Sequence, residues 1–207
     1  TIVELCARRL PENMKIPSAS IQVLSPTRKG ETGTVNLNKR LQAALNPPSE
    51  SKKEKLFGEA VFRVGDRVIQ TKNNYDTIWK TKGGVSGAGV YNGDIGTIAQ
   101  IDPITETLTV DFEDKLATYS FEMLNELEHA WVMTVHKSQG SEYRAVVLAL
   151  SGDVQMLLTR GVLYTAVTRA KELLIMVGDD NIAHRMIDNN KQSRRYSALR
   201  LRLIADD

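Results

Sequence analysis

The spacing of apolar residues changes twice along this chain, and few architectures tolerate that. Ile2, Val3, Leu5, Cys6 and Leu10 mark a short helical face, and Ile21-Gln-Val-Leu24 reads as a buried strand. Leu37, Leu41 and Leu45 at i, i+4 and i+8 predict an amphipathic helix from Thr34, stopped by Pro47-Pro48. Strand, polar turn and helix together open an α/β layer. After a polar stretch, Ser49 to Lys55, which reads as a linker, the period becomes two. Arg67 to Gln70, Ile95 to Ile101, Thr107 to Phe112 and Leu116 to Phe121 are predicted strands. Turns are expected at Asn92-Gly-Asp94, Asp102-Pro103 and Glu113-Asp-Lys115. Short strands joined this way predict a small SH3-like β-barrel. The stretch from Asn73 to Gly93 reads as a Gly-rich loop holding Trp79, Lys80 and Lys82.

The first pattern then returns. Val132 to Val135, Ala145 to Leu150 and Leu173 to Val177 are predicted strands. Leu157 to Ala170, Asn181 to Asn190 and Ser193 to Ile204 are predicted helices. Such alternation argues for a mainly parallel sheet. The expected organisation is therefore an α/β domain built from 1–56 and 128–207, with a barrel, 57–127, inserted into it.

Composition narrows the function classes without choosing one. A chain of 207 residues can bury a real core, and a net charge of +2 is no argument for a polyanionic partner. One cysteine, Cys6, excludes an internal disulfide and a cysteine zinc cluster, and no metal site is expected. No apolar run approaches the ~20 residues that span a bilayer, and no secretory signal is visible. The expectation is a cytoplasmic protein with no membrane partner. A chain that opens on Thr1 also reads as an excised piece of something longer.

Two strings carry most of the chemistry: Trp131-Val-Met-Thr-Val-His-Lys-Ser-Gln-Gly-Ser-Glu142 and Leu163-Tyr-Thr-Ala-Val-Thr-Arg-Ala-Lys171. In the first, Thr134 and His136 alternate along a strand, so both can face a phosphate backbone, with Lys137 beside them. Gly140 permits a tight turn with main-chain N–H groups close to a ligand, and Glu142 can accept from a ribose hydroxyl. Singly, His136 is explained as a capping residue and Lys137 as a solvated charge; the whole string is far more specific. In the second, helical spacing places Thr165 and Arg169 together, and Tyr164, Thr168 and Lys171 on neighbouring turns. A guanidinium stays charged and offers a planar fork to phosphate oxygens. A third string, Gln22-Val-Leu-Ser-Pro-Thr-Arg28-Lys-Gly30, sets Arg28 just past a strand's C-terminal end, where α/β sheets bind ligands.

These strings resemble motifs V, VI and IV of superfamily-one nucleic-acid helicases, and most closely those of the RecD-like DNA helicases. Phe62-Arg-Val-Gly-Asp-Arg-Val-Ile-Gln70 and Val90-Tyr-Asn-Gly-Asp-Ile-Gly96 resemble the SH3-like insertion of that family. The resemblance implies a RecA-like, P-loop-NTPase-type domain with a barrel inserted, acting in ATP-dependent, 5′-to-3′ DNA unwinding. It implies that Arg28 and Arg169 reach the γ-phosphate of ATP held with Mg²⁺, with Gly140 and Glu142 near the ribose. Thr134, His136 and Lys137 would hold the DNA backbone. Where many relatives carry a base-stacking aromatic before the motif IV arginine, this chain has Thr27.

In the insertion, Lys72, Asn73, Asn74 and the Trp79 loop are candidates for guiding single-stranded DNA. A flexible loop over a barrel core explains them equally well. Arg194, Arg195, Arg200 and Arg202 read as a solvated helix face. No Gly-x-x-x-x-Gly-Lys-Ser/Thr loop occurs in the chain, so ATP would be carried chiefly by an N-terminal Walker-bearing motor domain of the same protein. The alternatives left open are a non-catalytic DNA-binding or scaffolding module and a subunit of an exonuclease complex.

Overall fold

The computed structural model describes residues 1–152 and 155–190, so the helix expected at Ser193 to Ile204, with its arginines, lies outside the described residues. Four strands form a parallel sheet: β1 (Ile21–Ser25), β11 (Val132–Thr134), β12 (Tyr143–Ala149) and β13 (Ala170–Val177), in the order β11-β1-β12-β13. Helical turns pack on both faces. Neighbouring strand residues divide between two cores, as a period of two requires. Val23, Val132, Ala145, Val147 and Ala149 meet α1 (Ile2–Glu4), the π-helical Leu5–Arg9, α2 (Leu10–Met14) and α3 (Thr34–Leu45). Leu24, Met133, Val146 and Leu148 meet α4 (Arg160–Val167) and α5 (Asp180–Asp188). Cys6 belongs to the first core, where burial pushes its thiol up to about 12. β11 is an edge strand. The amide of Asn38 on α3 accepts from the N–H of Val132 and donates to its carbonyl, both at 2.9 Å, which closes the exposed ladder.

Between β1 and β11 the chain builds a second, antiparallel sheet. It comprises β4 (Arg67–Gln70), β5 (Asn74–Thr81), β6 (Ser86–Val90), β7 (Ile95–Asp102), β8 (Thr107–Phe112), β9 (Lys115–Ser120) and β10 (Leu127–His129), in the order β10-β4-β7-β8-β9-β5-β6. Val68, Ile98, Ile101, Leu108, Val110, Ala117 and Tyr119 fill this SH3-like unit. A separate hairpin, β2 (Glu54–Phe57) with β3 (Ala60–Arg63), precedes it. The expected Ser49 to Lys55 linker is therefore shorter, because pairing with β3 draws Glu54 and Lys55 into a strand.

The Asn73 to Gly93 stretch is not a loop but the hairpin β5–β6. Trp79 lies on β5, its ring packed where a Cβ on Gly87 would stand, with the Lys115 ammonium 4.8 Å from its centroid. The ring is thus partly buried against its own cross-strand neighbours rather than carried on a free loop. α4 likewise ends earlier than its periodicity suggests. The Thr168 hydroxyl donates to the carbonyls of Tyr164 and Thr165, and Ala170 already begins β13. Lys171 is a strand residue, so it does not share a helix turn with Tyr164.

A largely buried polar chain braces the second sheet beside its ladders and core. Tyr119 donates to Gln70, and Gln70, Asn74 and Lys72 all converge on the Glu126 carboxylate. Burial pushes that carboxyl up. The donors Asn74, Gln70 and Lys72 outweigh burial and leave it below the usual carboxylate range. A depressed native value means its stabilisation is present above the unfolded value, about 4.3, and fades as pH falls through the native one. Glu126→Gln is therefore expected to flatten the dependence of melting temperature on pH between about 2 and 5, while lowering the melting temperature at neutrality. Parallel wild-type and variant curves across that range would show that Glu126 contributes nothing to acid sensitivity.

Candidate functional site

In a parallel sheet every strand ends on the same edge, so each motif residue can be assigned to an edge from register alone. Ser25 pairs with Thr134, and Leu24 with Leu148, which fixes the C-terminal edge. Tyr143 pairs with Ala170 and takes the Arg169 carbonyl at 2.8 Å, which fixes the N-terminal edge. The seven residues of β12 separate the two edges by about 20 Å.

On the C-terminal edge lie Arg28, Thr134, His136 and Lys137. β11 ends at Thr134, so the expected strand alternation does not extend to His136, which sits exposed in the following turn. The Thr134 hydroxyl accepts the Lys137 N–H at 3.3 Å, and Ser138 is buried with its hydroxyl on the Val135 carbonyl. Thr27 is buried and donates to the Lys29 carbonyl, so nothing at that position can stack on a base. Arg28 is exposed. Its Nη2 donates to one oxygen of Glu128 at 3.0 Å, and Lys137 Nζ donates to the other at 2.8 Å. Burial raises the Glu128 carboxyl, but Lys137 and then Arg28 overcome it and hold it below the usual range. No feature of the sequence singled Glu128 out. Its role follows from β10, which brings it back beside β11.

On the N-terminal edge lie Gly140, Glu142 and Arg169. Gly140 has φ +86°, a left-handed conformation that favours glycine, and no heavy atom lies within 4 Å of where its Cβ would be. The main chain there is open to an incoming group. Glu142 is exposed and pairs with Lys171 at 3.3 Å. Arg169 is half-buried. Its Nε, Nη1 and Nη2 donate to the Thr165 carbonyl, the Ser141 carbonyl and the Thr168 hydroxyl at 3.1, 2.9 and 3.1 Å. Three bonds fix the plane of the fork and leave two of its five N–H donors for a ligand.

The structure does not bring Arg28 and Arg169 together. One follows the C-terminal end of β1 and the other precedes the N-terminal end of β13, so the expected pocket shared by both arginines is not formed within this domain. The expected string from Thr134 to Glu142 is itself divided between the edges. Its first half stays at the end of β11, while its second half crosses back to the start of β12. Asn73 and Asn74 are also committed elsewhere. Asn74 donates to Glu126 and accepts from the N–H groups of Asp76 and Thr77; Asn73 donates to the Tyr75 hydroxyl and accepts from the Asn92 N–H. These asparagines brace the base of the β5–β6 hairpin. Among the described residues no group of His, Cys, Asp and Glu is placed to hold a metal, and no helix is long and apolar enough to cross a membrane.

Residues 37–112 match the family described as ATP-dependent RecD-like DNA helicase SH3 domain, and residues 129–177 match the UvrD-like helicase C-terminal domain. The chain belongs to the RecD-like helicases. It is 33% identical to the ATP-dependent RecD2 DNA helicase of Deinococcus radiodurans, over 90% of this chain and 24% of that protein. It is 31% identical to the RecBCD enzyme subunit RecD of Mycolicibacterium smegmatis, over 88% of this chain and 29% of that one. The RecD-like chain thus spans about a quarter of the length of these curated relatives. The fold is also that of a Pif1 helicase from Bacteroides solved with ADP-AlF3 and single-stranded DNA, at TM-score 0.54 and 16% identity, over 98% of this chain and 48% of that one. Pif1 helicase from Candida albicans matches at TM-score 0.50 and 16% identity, over 98% of this chain and 53% of the other. The α/β, RecA-like domain with an SH3-like sheet is thereby established.

Proposed function

We propose that this chain is the second motor domain of an ATP-dependent DNA helicase that unwinds 5′-to-3′ in repair or recombination, with 57–127 as its inserted unit. The N-terminal edge closes on ATP and Mg²⁺ held mainly by a Walker-bearing domain of the same protein, and the C-terminal edge holds the DNA strand. The observation that carries this reading is the course of residues 134–142, which run from one edge to the other. Gly140 and Glu142 are suited to meet the ribose and nearby phosphate, and Arg169 to place its free N–H groups on the γ-phosphate. Bound ATP supplies the anionic partner that draws the arginine edge shut. Once the γ-phosphate leaves, Arg169 loses that partner, and the difference in contacts biases the cleft toward opening. Because residues 135–142 are one short segment anchored by buried Ser138, a shift at Gly140 is transmitted to Thr134 and His136.

The two halves of the protein test this directly. The chain alone is expected to hydrolyse no ATP, and joining it to its Walker-bearing half is expected to give hydrolysis stimulated by single-stranded DNA. The RecD subunit names among its relatives favour one other reading, a non-catalytic subunit of an exonuclease complex. That reading predicts that joining the halves restores nothing, whereas retention of a nuclease partner on pull-down would support it.

A further inference from the structure

Beside the Arg28–Glu128–Lys137 cluster runs a groove of about 350 Å³, between α3 and the β2–β3 hairpin. Its walls include Val35, Gln42, Ala60, Val61, Phe62 and His129. Arg28 and Glu128 stand at its mouth and also line a smaller cleft that holds Thr134 and Lys137, so the two spaces share one rim. Two features of the rim indicate its ligand. Arg28 and Lys137 each donate to a separate oxygen of one carboxylate, the arrangement in which two cations would grip the two free oxygens of a phosphodiester. The arginine side chain is 60% exposed, so an incoming strand can reach it. The apolar wall of the hairpin, Ala60, Val61 and Phe62, lines the groove that shares this rim.

We propose that Arg28 and Lys137 form a clamp for one backbone phosphate of single-stranded DNA, with the adjoining base in the α3–hairpin groove, and that Glu128 occupies the clamp until a strand displaces it. The inference rests on the proposed DNA-holding role of the C-terminal edge and adds to it a competitor carried by the protein itself. Glu128 sets the affinity of the clamp: the phosphate must compete with a carboxylate already bonded to both cations, and the released carboxylate takes up a counterion. Strand release is correspondingly easier, because the cations regain a partner as the DNA leaves.

Glu128→Gln in the full-length protein, titrated with labelled oligothymidylate without nucleotide across a range of KCl concentrations, tests this. The variant is expected to bind about 3- to 10-fold more tightly, with a salt slope steeper by about 0.7, since one more net positive charge meets the strand. Arg28→Ala and Lys137→Ala are each expected to weaken binding and flatten the slope by about 0.7, and in the double variant Glu128→Gln should no longer matter. Glu12→Gln, an exposed carboxylate on α2, is expected to leave affinity and slope unchanged. Unchanged or weaker binding by Glu128→Gln with a wild-type melting temperature overturns the clamp, as does wild-type affinity in Arg28→Ala. If Thr134→Ala and Lys137→Ala also bind like wild type, the whole DNA-edge reading fails with it. A loss in Lys137→Ala alone would leave that reading standing and remove only the clamp.

Discussion

Replacing Arg169 with alanine in the full-length protein is expected to lower DNA-stimulated ATP turnover by about 10³–10⁵, equivalent to roughly 4–7 kcal/mol of transition-state stabilisation. Strand affinity without nucleotide should stay near wild type, because Arg169 lies about 20 Å from the edge assigned to the strand. The size of the effect follows from geometry. The guanidinium is pinned through Thr165, Ser141 and Thr168, so its remaining donors are oriented before a nucleotide arrives and no reorganisation is needed during reaction. Those same bonds make Arg169 a brace for the turn at Gly140 to Glu142, which affects ATP binding as well. The two roles separate kinetically: loosening of the turn raises KM, whereas loss of charge stabilisation lowers kcat. Arg169→Lys keeps the charge but has no planar fork, and it is expected to lose most of kcat too. Turnover within a few-fold of wild type in the alanine variant would remove Arg169 from the chemistry.

Asp66→Ala is expected to destabilise the fold by about 3–5 kcal/mol, a fall of roughly 10 °C in melting temperature. Asp66 is fully buried where helix α3, the β2–β3 hairpin and the exit strand β10 meet. One of its oxygens accepts from Gln42 at 2.6 Å and the Arg63 N–H at 2.8 Å, and pairs with His129 at 3.2 Å; the other accepts from Asn46 at 2.7 Å. Alanine strips the Arg63 N–H of its acceptor and takes one partner each from Gln42, Asn46 and His129, although Gln42 keeps the Val61 carbonyl and Asn46 the Val64 carbonyl. A buried donor left without an acceptor costs more than the net worth of its bond. Asp66→Asn keeps the volume but turns one acceptor into a donor facing other donors, so it is expected to fall nearly as far. Thermal and urea denaturation measure both. A shift below about 2 °C would mean that water or neighbouring carbonyls replace the carboxylate, and that the junction does not depend on it.

The period of the apolar residues made most of the architecture legible. Val23/Leu24 and Val146/Val147 alternate between two cores, and Leu37 with Leu41 marks the inner face of α3. Turn residues gave the meander of β7 to β9. The β5–β6 hairpin escaped notice because Gly83, Gly84, Gly87 and Gly89 look like loop punctuation, yet Gly87 is there to admit the Trp79 ring. The end of α4 escaped because Thr168 closes the helix by bonding back to its own carbonyls, a local choice that periodicity does not encode.

The sequence by itself determined most of the elements, the order in which those follow and the motif strings, since these depend on neighbours three, four or two residues apart. Only the tertiary structure decided which motif residues meet. Direction in a parallel sheet sends Arg28 to one edge and Arg169 to the other, and β10, the last strand of the second sheet, brings Glu128 between Arg28 and Lys137. The Arg28–Glu128 contact joins residues 100 positions apart, where spacing along the chain carries no information about distance in space.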